Sequence, residues 1–257
     1  MADRTIKSIG YDQHVIIRDI LELHNGGNPI DCDITYSVGN FYGKFKETVD
    51  EKQKDGCVIS HEEEYEIAQP AYKFDVDPQV EGVERIDAWG ALPLEDNSIN
   101  CCMFDPPFVI GPRDSLSMVE PKEGSNIIGR RFSSYYPRWE MFESYEHWIR
   151  EAYRVLRQGG VLIFKTQPVI SGGLSLMTHM YACKLAEELG FYIKDEFVLL
   201  AKQRLISGKV KNQMHSRKYH SFFYVLVKDD PKRDKIGYFR RDWRELPRRS
   251  KNNNKME

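Results

Sequence analysis

The chain has little of what marks a metal-bound, disulfide-bonded or membrane-inserted protein. Its cysteines, Cys32, Cys57, Cys101, Cys102 and Cys183, are odd in number and none stands at C-x-x-C spacing. That argues against a zinc centre and against a disulfide framework, and for reduced thiols in an intracellular protein. No apolar run approaches the roughly 20 residues of a membrane span, and the N-terminal MADRTIKSIGYDQH has no apolar core of the signal-peptide kind. The expectation is a soluble, cytoplasmic protein with no membrane partner and no metal. Charge of one sign is lacking too: the formal net charge is -2, so any attraction to a polyanion must come from local patches. No internal repeat is present.

What is there suits one sizeable α/β domain with insertions: 257 residues, 41% of them hydrophobic. HVIIRDILELHNGG has helical apolar spacing and a Gly-Gly stop; SYEHWIREAYRVLRQGG and LMTHMYACKLAEELGF repeat the pattern. Short strand-like runs alternate with them: PIDCDITY, AYKFDVDP, GVERIDAW, INCCMF and VLIFKTQ. YIKDEFVLLAK and SFFYVLVK follow with no helix between, so they read as an antiparallel pair. The main domain spans 1–228, with a charged insert at about 44–69, read as mobile, an aromatic and polar loop at about 111–137, and a basic hairpin at about 202–220. Residues 229–257 form a basic C-terminal tail.

Alternating strands and helices predict a mostly parallel sheet with helices on both faces. Ligands of such sheets bind beyond the carboxyl ends of the strands. Four predicted strands end in acids: Asp33, Asp75 with Asp77, Asp87 and Asp105. A single strand-end acid is commonly a turn cap, but four on one edge describe a site for a polar ligand.

The last of these opens the sequence Asp105-Pro106-Pro107-Phe108. Proline fixes φ and has no N–H, and it holds the preceding residue extended. The strand exit is therefore stiff and rich in acceptors, with no backbone donor at either proline. It suits a ligand that donates, such as a planar amino group shared between the Asp105 carboxylate and the Pro106 carbonyl, with its ring stacked on Phe108. Acceptors that bind more tightly as the nitrogen becomes cationic would assist attack by that amine on an electrophile. The proton becomes acidic only as the new bond forms, and leaves through Asp105 or water.

DPPF resembles the [DNS]-P-P-[YFW] motif of S-adenosylmethionine-dependent amino-methyltransferases, chiefly enzymes of DNA adenine N6 and cytosine N4. DCDITYSVGNFY is similar to their cofactor turn, D-x-x-x-G-x-G: Asp33 and Gly39 match, with Thr35 and Phe41 in the same turn, and Ser37 stands where glycine is usual. FDVDP resembles the acidic strand end that holds the cofactor ribose, Asp75 being preferred to Asp77. RIDAWG resembles the adenine-contacting segment, which implies roles for Asp87 and Ala88. EAYRVLRQGGVLIFKTQ resembles the helix, Gly-Gly turn and strand that follow. The resemblance covers about residues 16–228 in the unpermuted order. It implies a Rossmann-like class-I methyltransferase sheet ending in a reversed hairpin, with S-adenosylmethionine as cofactor.

The resemblance also implies a double-stranded DNA partner whose target base is flipped into the pocket, in a phage or restriction-modification setting. Adenine N6 is preferred because the Asp form of the motif is commoner among adenine enzymes. Cytosine N4, an RNA or protein amine, or a non-catalytic nucleic-acid-binding subunit are the alternatives. Cations mixed with aromatic rings nominate Arg130, Arg131, Tyr135 and Tyr136 in one loop and Arg204, Lys211, His215, Arg217, Lys218 and His220 in the basic hairpin as substrate contacts. Lys165, at the end of the VLIF strand, is a further candidate. The chain has no room for a large recognition domain, so specificity falls to these loops, the insert, or a partner such as a second copy of the chain.

Overall fold

The structure is a computed structural model that describes residues 5–52, 57–110, 138–202 and 213–228. Among these residues one sheet is built from β1 (Ile9–Gly10), β2 (Cys32–Asp33), β5 (Tyr72–Asp75), β6 (Glu84–Arg85), β7 (Ile99–Phe104), β8 (Leu156–Thr166), β11 (Phe191–Leu200) and β12 (His220–Lys228). Their spatial order is β1-β11-β12-β8-β7-β2-β5-β6. From β6 to β8 neighbouring strands are parallel. β12 is antiparallel to both its neighbours, which makes the reversed hairpin. This is the mostly parallel Rossmann-like sheet expected from the sequence, with β1 added as a parallel edge strand beside β11.

Alternation along the central strands feeds two cores. Cys101 and Met103 of β7, Val161 and Ile163 of β8, and Phe223 and Val225 of β12 face α1 (Gln13–His24) through Ile16, Ile17 and Ile20. Cys102, Phe104, Leu162, Phe164 and Leu226 face the other way, onto α2 (Arg138–Val155) and α3 (Thr178–Leu189) through Tyr145, Trp148, Ile149 and Ala182. A strand buried on both faces cannot alternate apolar with polar, which is why β7 and β8 read as continuous apolar runs. Each large side chain buried this way contributes about 1.5–3 kcal/mol.

Caps set the helix ends. Asp12 accepts a hydrogen bond from the His14 N–H (2.8 Å) at the start of α1, and Gly190, at φ 111°, closes α3. α2 starts at Arg138, earlier than SYEHW suggested, and β8 begins directly after it. The Gly159-Gly160 pair lies in an irregularity of the β7–β8 ladder between Ile99 and Cys101. A Cβ at Gly160 would sit 2.8 Å from the Arg157 carbonyl oxygen, so no side chain fits there.

The insert at 44–69, in which the sequence shows no firm period, is mostly strand among its described residues. The region is an antiparallel hairpin of β3 (Gly43–Lys52) and β4 (Val58–Ile67), paired one-to-one. Only its base is anchored. Phe45 and Tyr65 pack on the α1 core, and Arg18 bonds Glu47 at 2.6 Å while lying 4.4 Å from the Tyr65 ring centroid. Beyond that base, Glu62, Glu63 and Glu64 are exposed; with no face to bury, the ribbon has no apolar alternation to read. A second short hairpin, β9 (Val169–Ser171) with β10 (Leu174–Leu176), also lay outside the sequence expectation.

Candidate active site

Chain order reverses between β2 and β7: from β2 the sheet grows one way through β5 and β6, then the other way through β7 and β8. A crevice opens beyond the carboxyl ends at such a switch point. Asp33 ends β2, and Asp105 follows β7, so both acids stand at it. The end of β11 and the start of β12 lie at the same rim, since Phe222 pairs with Thr166 and Leu200 with His220.

Asp33 is fully buried. Its carboxylate accepts from the Thr35 N–H (2.8 Å) and the Tyr42 hydroxyl (2.6 Å). Burial is the largest influence on it, the two donors oppose burial, and Asp105 and Asp75 add repulsion; its pKa is pushed up to about 7. Asp33 thus organises the turn from beneath rather than facing the crevice. The Thr35 hydroxyl in turn accepts from the Asp105 N–H at 2.7 Å. A part-buried relay from Asp33 through Thr35 to Asp105 therefore ties the turn after β2 to the DPPF strand exit.

Ser37, in the place where glycine is usual, adopts φ 53°, the left-handed conformation that glycine favours. Its N–H donates to Asp75 Oδ2 at 2.8 Å, and the other Asp75 oxygen takes the Asp77 N–H at 2.8 Å. Asp75 so ties the first turn to the second, and burial raises its pKa against those two bonds. Gly39 (φ 73°) is obligatory: a Cβ would lie 2.6 Å from the Tyr36 ring. Tyr36 stacks on Tyr42 at 5.5 Å and donates to Gln69 (2.5 Å). Asp87 is exposed, accepts from the Trp89 N–H (2.8 Å) and so caps its own turn; Ala88 is half-buried within that turn and Trp89 is exposed beside it.

At the strand exit Pro106 is buried, and Asp105, Pro107 and Phe108 are partly exposed. Lys165 lies against them. The β7–β8 register pairs Phe104 with Phe164, so the next residues, Asp105 and Lys165, are neighbours. Lys165 Nζ is 3.0 Å from Asp105 Oδ2 and 3.4 Å from Gln13 Oε1. The ammonium also lies 5.0, 5.8 and 5.4 Å from the ring centroids of Phe41, Phe108 and Phe223, a cation–π cage. Burial raises the Asp105 pKa, and Lys165 pulls it back without cancelling the rise. Phe41, expected beside the cofactor, is therefore a wall of this cage. A cleft of about 380 Å³ adjoins it, lined by Tyr11 to His14 and Leu199 to Lys202.

Of the proposed substrate contacts, Lys165 joins Asp105 directly. His215 bonds the Gly173 carbonyl (2.8 Å), Lys218 donates to Ser216 (3.2 Å), and Arg217 is exposed. His220 lies edge-on to Phe222. Arg130, Arg131, Tyr135, Tyr136, Arg204 and Lys211 fall outside the described residues, as do the 111–137 loop and the 229–257 tail. Sequence reasoning missed Gln13, Tyr42 and Phe223. Tyr42 and Phe223 read as ordinary core aromatics, and Gln13 carries no signal beyond following a helix cap. Among the described residues no group of three or more His, Cys, Asp or Glu is placed to hold a metal ion, and no helix is long and apolar enough to cross a membrane.

No protein-family model matches the chain and no curated protein matches it. Among solved structures it is similar to a candidate DNA modification methylase from Thermus thermophilus complexed with S-adenosyl-L-methionine, at 16% identity and TM-score 0.36, over 55% of this chain and 52% of that one. It is likewise similar to the PvuII DNA methyltransferase (cytosine-N4-specific), at 15% identity and TM-score 0.36, over 55% of this chain and 47% of that one. A SAM-dependent methyltransferase from Methanosarcina mazei is similar at 13% identity and TM-score 0.32, over 59% of this chain and 70% of that one. Each match to the two DNA methylases spans about half of their length.

Proposed function

We propose that this chain transfers a methyl group from S-adenosylmethionine to the exocyclic amine of a flipped-out DNA base, with adenine N6 as the first target. The observation that carries the reading is Asp105: a carboxylate fixed on a donor-free Asp-Pro-Pro exit at the switch point, beside the Phe108 ring and bonded through Thr35 to the cofactor-like turn.

The donor set fits the proposed cofactor. Asp75 ends β5 and Asp87 lies two residues beyond the adjoining β6, and they offer acceptors for ribose hydroxyls and an adenine amine. Trp89, 47% exposed beside Asp87, offers a flat apolar face for a base. Gly39 and the left-handed Ser37 keep the turn close to the crevice. When bound, S-adenosylmethionine supplies an electrophilic methyl on a sulfonium centre.

The rest falls to the chain. Asp105 and the Pro106 carbonyl accept the two amine hydrogens and turn the nitrogen lone pair out of the ring plane. Phe108 stacks the base. Once the bound cofactor had given up its methyl and left as the thioether, the surplus proton on the acceptor nitrogen would pass to Asp105 or water. The raised Asp105 pKa suits a group that takes that proton late. The basic residues between β11 and β12 are the proposed phosphate contacts, with the 111–137 loop or a second copy supplying sequence selection. A soluble, cytoplasmic enzyme of a phage or restriction-modification setting fits this chemistry.

The test is mass spectrometry of nucleosides from DNA and RNA incubated with the protein and methyl-labelled cofactor. The expected product is N6-methyladenine in DNA. Label at cytosine N4 corrects the base, and label in RNA alone overturns the polymer. Label in neither, together with no calorimetric binding of S-adenosylmethionine by wild type or Asp105→Ala, sinks the reading.

A further inference from the structure

The amine site is already filled from within the chain. The Asp105 carboxylate, the Phe108 ring and the neighbouring Phe41 and Phe223 form a pocket for a nitrogen that donates, and the Lys165 ammonium sits in it. We propose that Lys165 is the resident amine of this subsite: in the substrate-free protein its ammonium takes the place at Asp105 that an incoming exocyclic amine must occupy, and substrate loads by exchange with it. The proposal rests on the reading of the site as one that binds a base by its amine.

Three features carry it. The 3.0 Å Lys165–Asp105 contact engages the same carboxylate that an acceptor amine would use, and the ammonium lies 5.8 Å from the centroid of the Phe108 ring on which a base would stack. The contact to Gln13, at 3.4 Å, is weak, so on that side Lys165 is held loosely. Gln13 also lines the cleft of about 380 Å³, and the cleft wall includes Asp12. In the exchange the flexible four-carbon stem of Lys165 would turn the ammonium toward this cleft, where Asp12 offers a second carboxylate.

The exchange would also serve the chemistry. As the acceptor nitrogen gains a methyl it becomes positive, and an ammonium on the same carboxylate would oppose that charge. With Lys165 withdrawn, Asp105 faces only the nascent cation. A ligand without an amine has nothing to offer Asp105 in return for the lysine, so the exchange would select amine-bearing bases before any methyl is transferred.

The test reads Lys165 in the wild-type protein. Brief acetylation with N-hydroxysuccinimidyl acetate, mapped by peptide mass spectrometry, is compared for protein alone, with a random-sequence single-stranded oligodeoxynucleotide pool plus S-adenosylhomocysteine, and with oligo(dT), which has no exocyclic amine. Methyl transfer to the pool from labelled S-adenosylmethionine is followed in parallel. The expected result is a severalfold rise in Lys165 acetylation with the pool and none with oligo(dT). No rise, or a fall, while the pool is being methylated overturns the exchange and leaves the methyltransferase reading standing. A rise without methylation supports the exchange and overturns the transfer reading; neither signal overturns both.

Discussion

The two ends of the sheet each bury a lysine, and they treat it differently. At the amino-terminal end, Lys228 of β12 donates to the Asn97 side chain (2.8 Å) and to the carbonyls of Tyr153 (2.6 Å) and Leu156 (2.8 Å). Those carbonyls belong to the last turn of α2 and the residue after it, where a helix leaves acceptors unsatisfied and its dipole favours a cation. Arg154 repeats the pattern with the Leu92 and Leu94 carbonyls and Glu151. At the carboxyl end, Lys165 has a carboxylate, a long contact to a glutamine and three rings. Neutral carbonyls that cannot move make Lys228 a structural bolt. A titratable carboxylate and non-directional rings hold Lys165 in a form that can be traded. Stability is concentrated at one end and exchangeable charge at the other.

Variants at the two ends should therefore fail in different assays. On the proposed reading, Asp105→Asn keeps the shape of the strand exit but removes the charge that would stabilise a developing cation. Methyl transfer should fall by about 10²–10³-fold, the size of losing one preorganised electrostatic partner, with cofactor affinity by calorimetry little changed. Equal losses in both would place Asp105 in the cofactor site instead. Lys228→Met should do the reverse. It strands buried carbonyl acceptors at a cost of roughly 2–4 kcal/mol in urea unfolding, while the transfer rate of the folded fraction at low temperature stays near wild type.

The layout of the strand ends was more legible in the sequence than the contacts between them. The acids at strand ends, the proline pair and the reversed hairpin follow from local spacing, and they reappear in place. The Asp105–Lys165 pair joins residues 60 apart and the Lys165–Gln13 contact residues 152 apart, so neither leaves a local pattern. The first becomes inferable only once β7 and β8 are taken as parallel neighbours with their ends aligned. The β3–β4 hairpin was hidden for another reason. Period-two alternation exists only where one face is buried, and this ribbon buries little beyond Phe45, Tyr65 and Ile67.

Asp33 sharpens the contrast because it places a buried acid with a raised pKa beneath the carboxyl-end rim. Its pKa, raised to about 7 by burial, means the folded chain keeps a proton that the unfolded chain releases above about pH 4. Its contribution to stability is thus fully present below pH 4 and is lost as pH rises through 7, an effect on the order of 4 kcal/mol at full extent. Asparagine can accept from the Thr35 N–H without this proton linkage. Asp33→Asn should therefore gain on wild type as the pH is raised from 4 to 8, by about 1–3 kcal/mol in urea unfolding. A difference that stays flat over this range would mean that Asp33 is ionised throughout and that the active rim is not under this strain.

The smallest expected effect makes the comparison most directly, because it uses the same backbone conformation at both ends. Among the described residues Ser37 (φ 53°) at the carboxyl end and Asn97 (φ 55°) at the amino end are the non-glycine residues with positive φ. The left-handed region costs an L-residue about 1–2 kcal/mol, and glycine returns part of that through greater freedom when unfolded. Ser37 keeps its N–H bond to Asp75 when the side chain is removed, so Ser37→Gly should stabilise the protein by about 0.5 kcal/mol. Asn97 tolerates the conformation better, and its side chain accepts from Lys228. Asn97→Gly should therefore lose about 1 kcal/mol despite relieving the same φ. Opposite signs in paired urea titrations are expected because strain at the switch point is uncompensated locally, whereas at the other end the strained residue is itself part of the bolt. Equal signs would mean that backbone conformation alone decides the outcome and that the difference between the two ends lies only in their lysines.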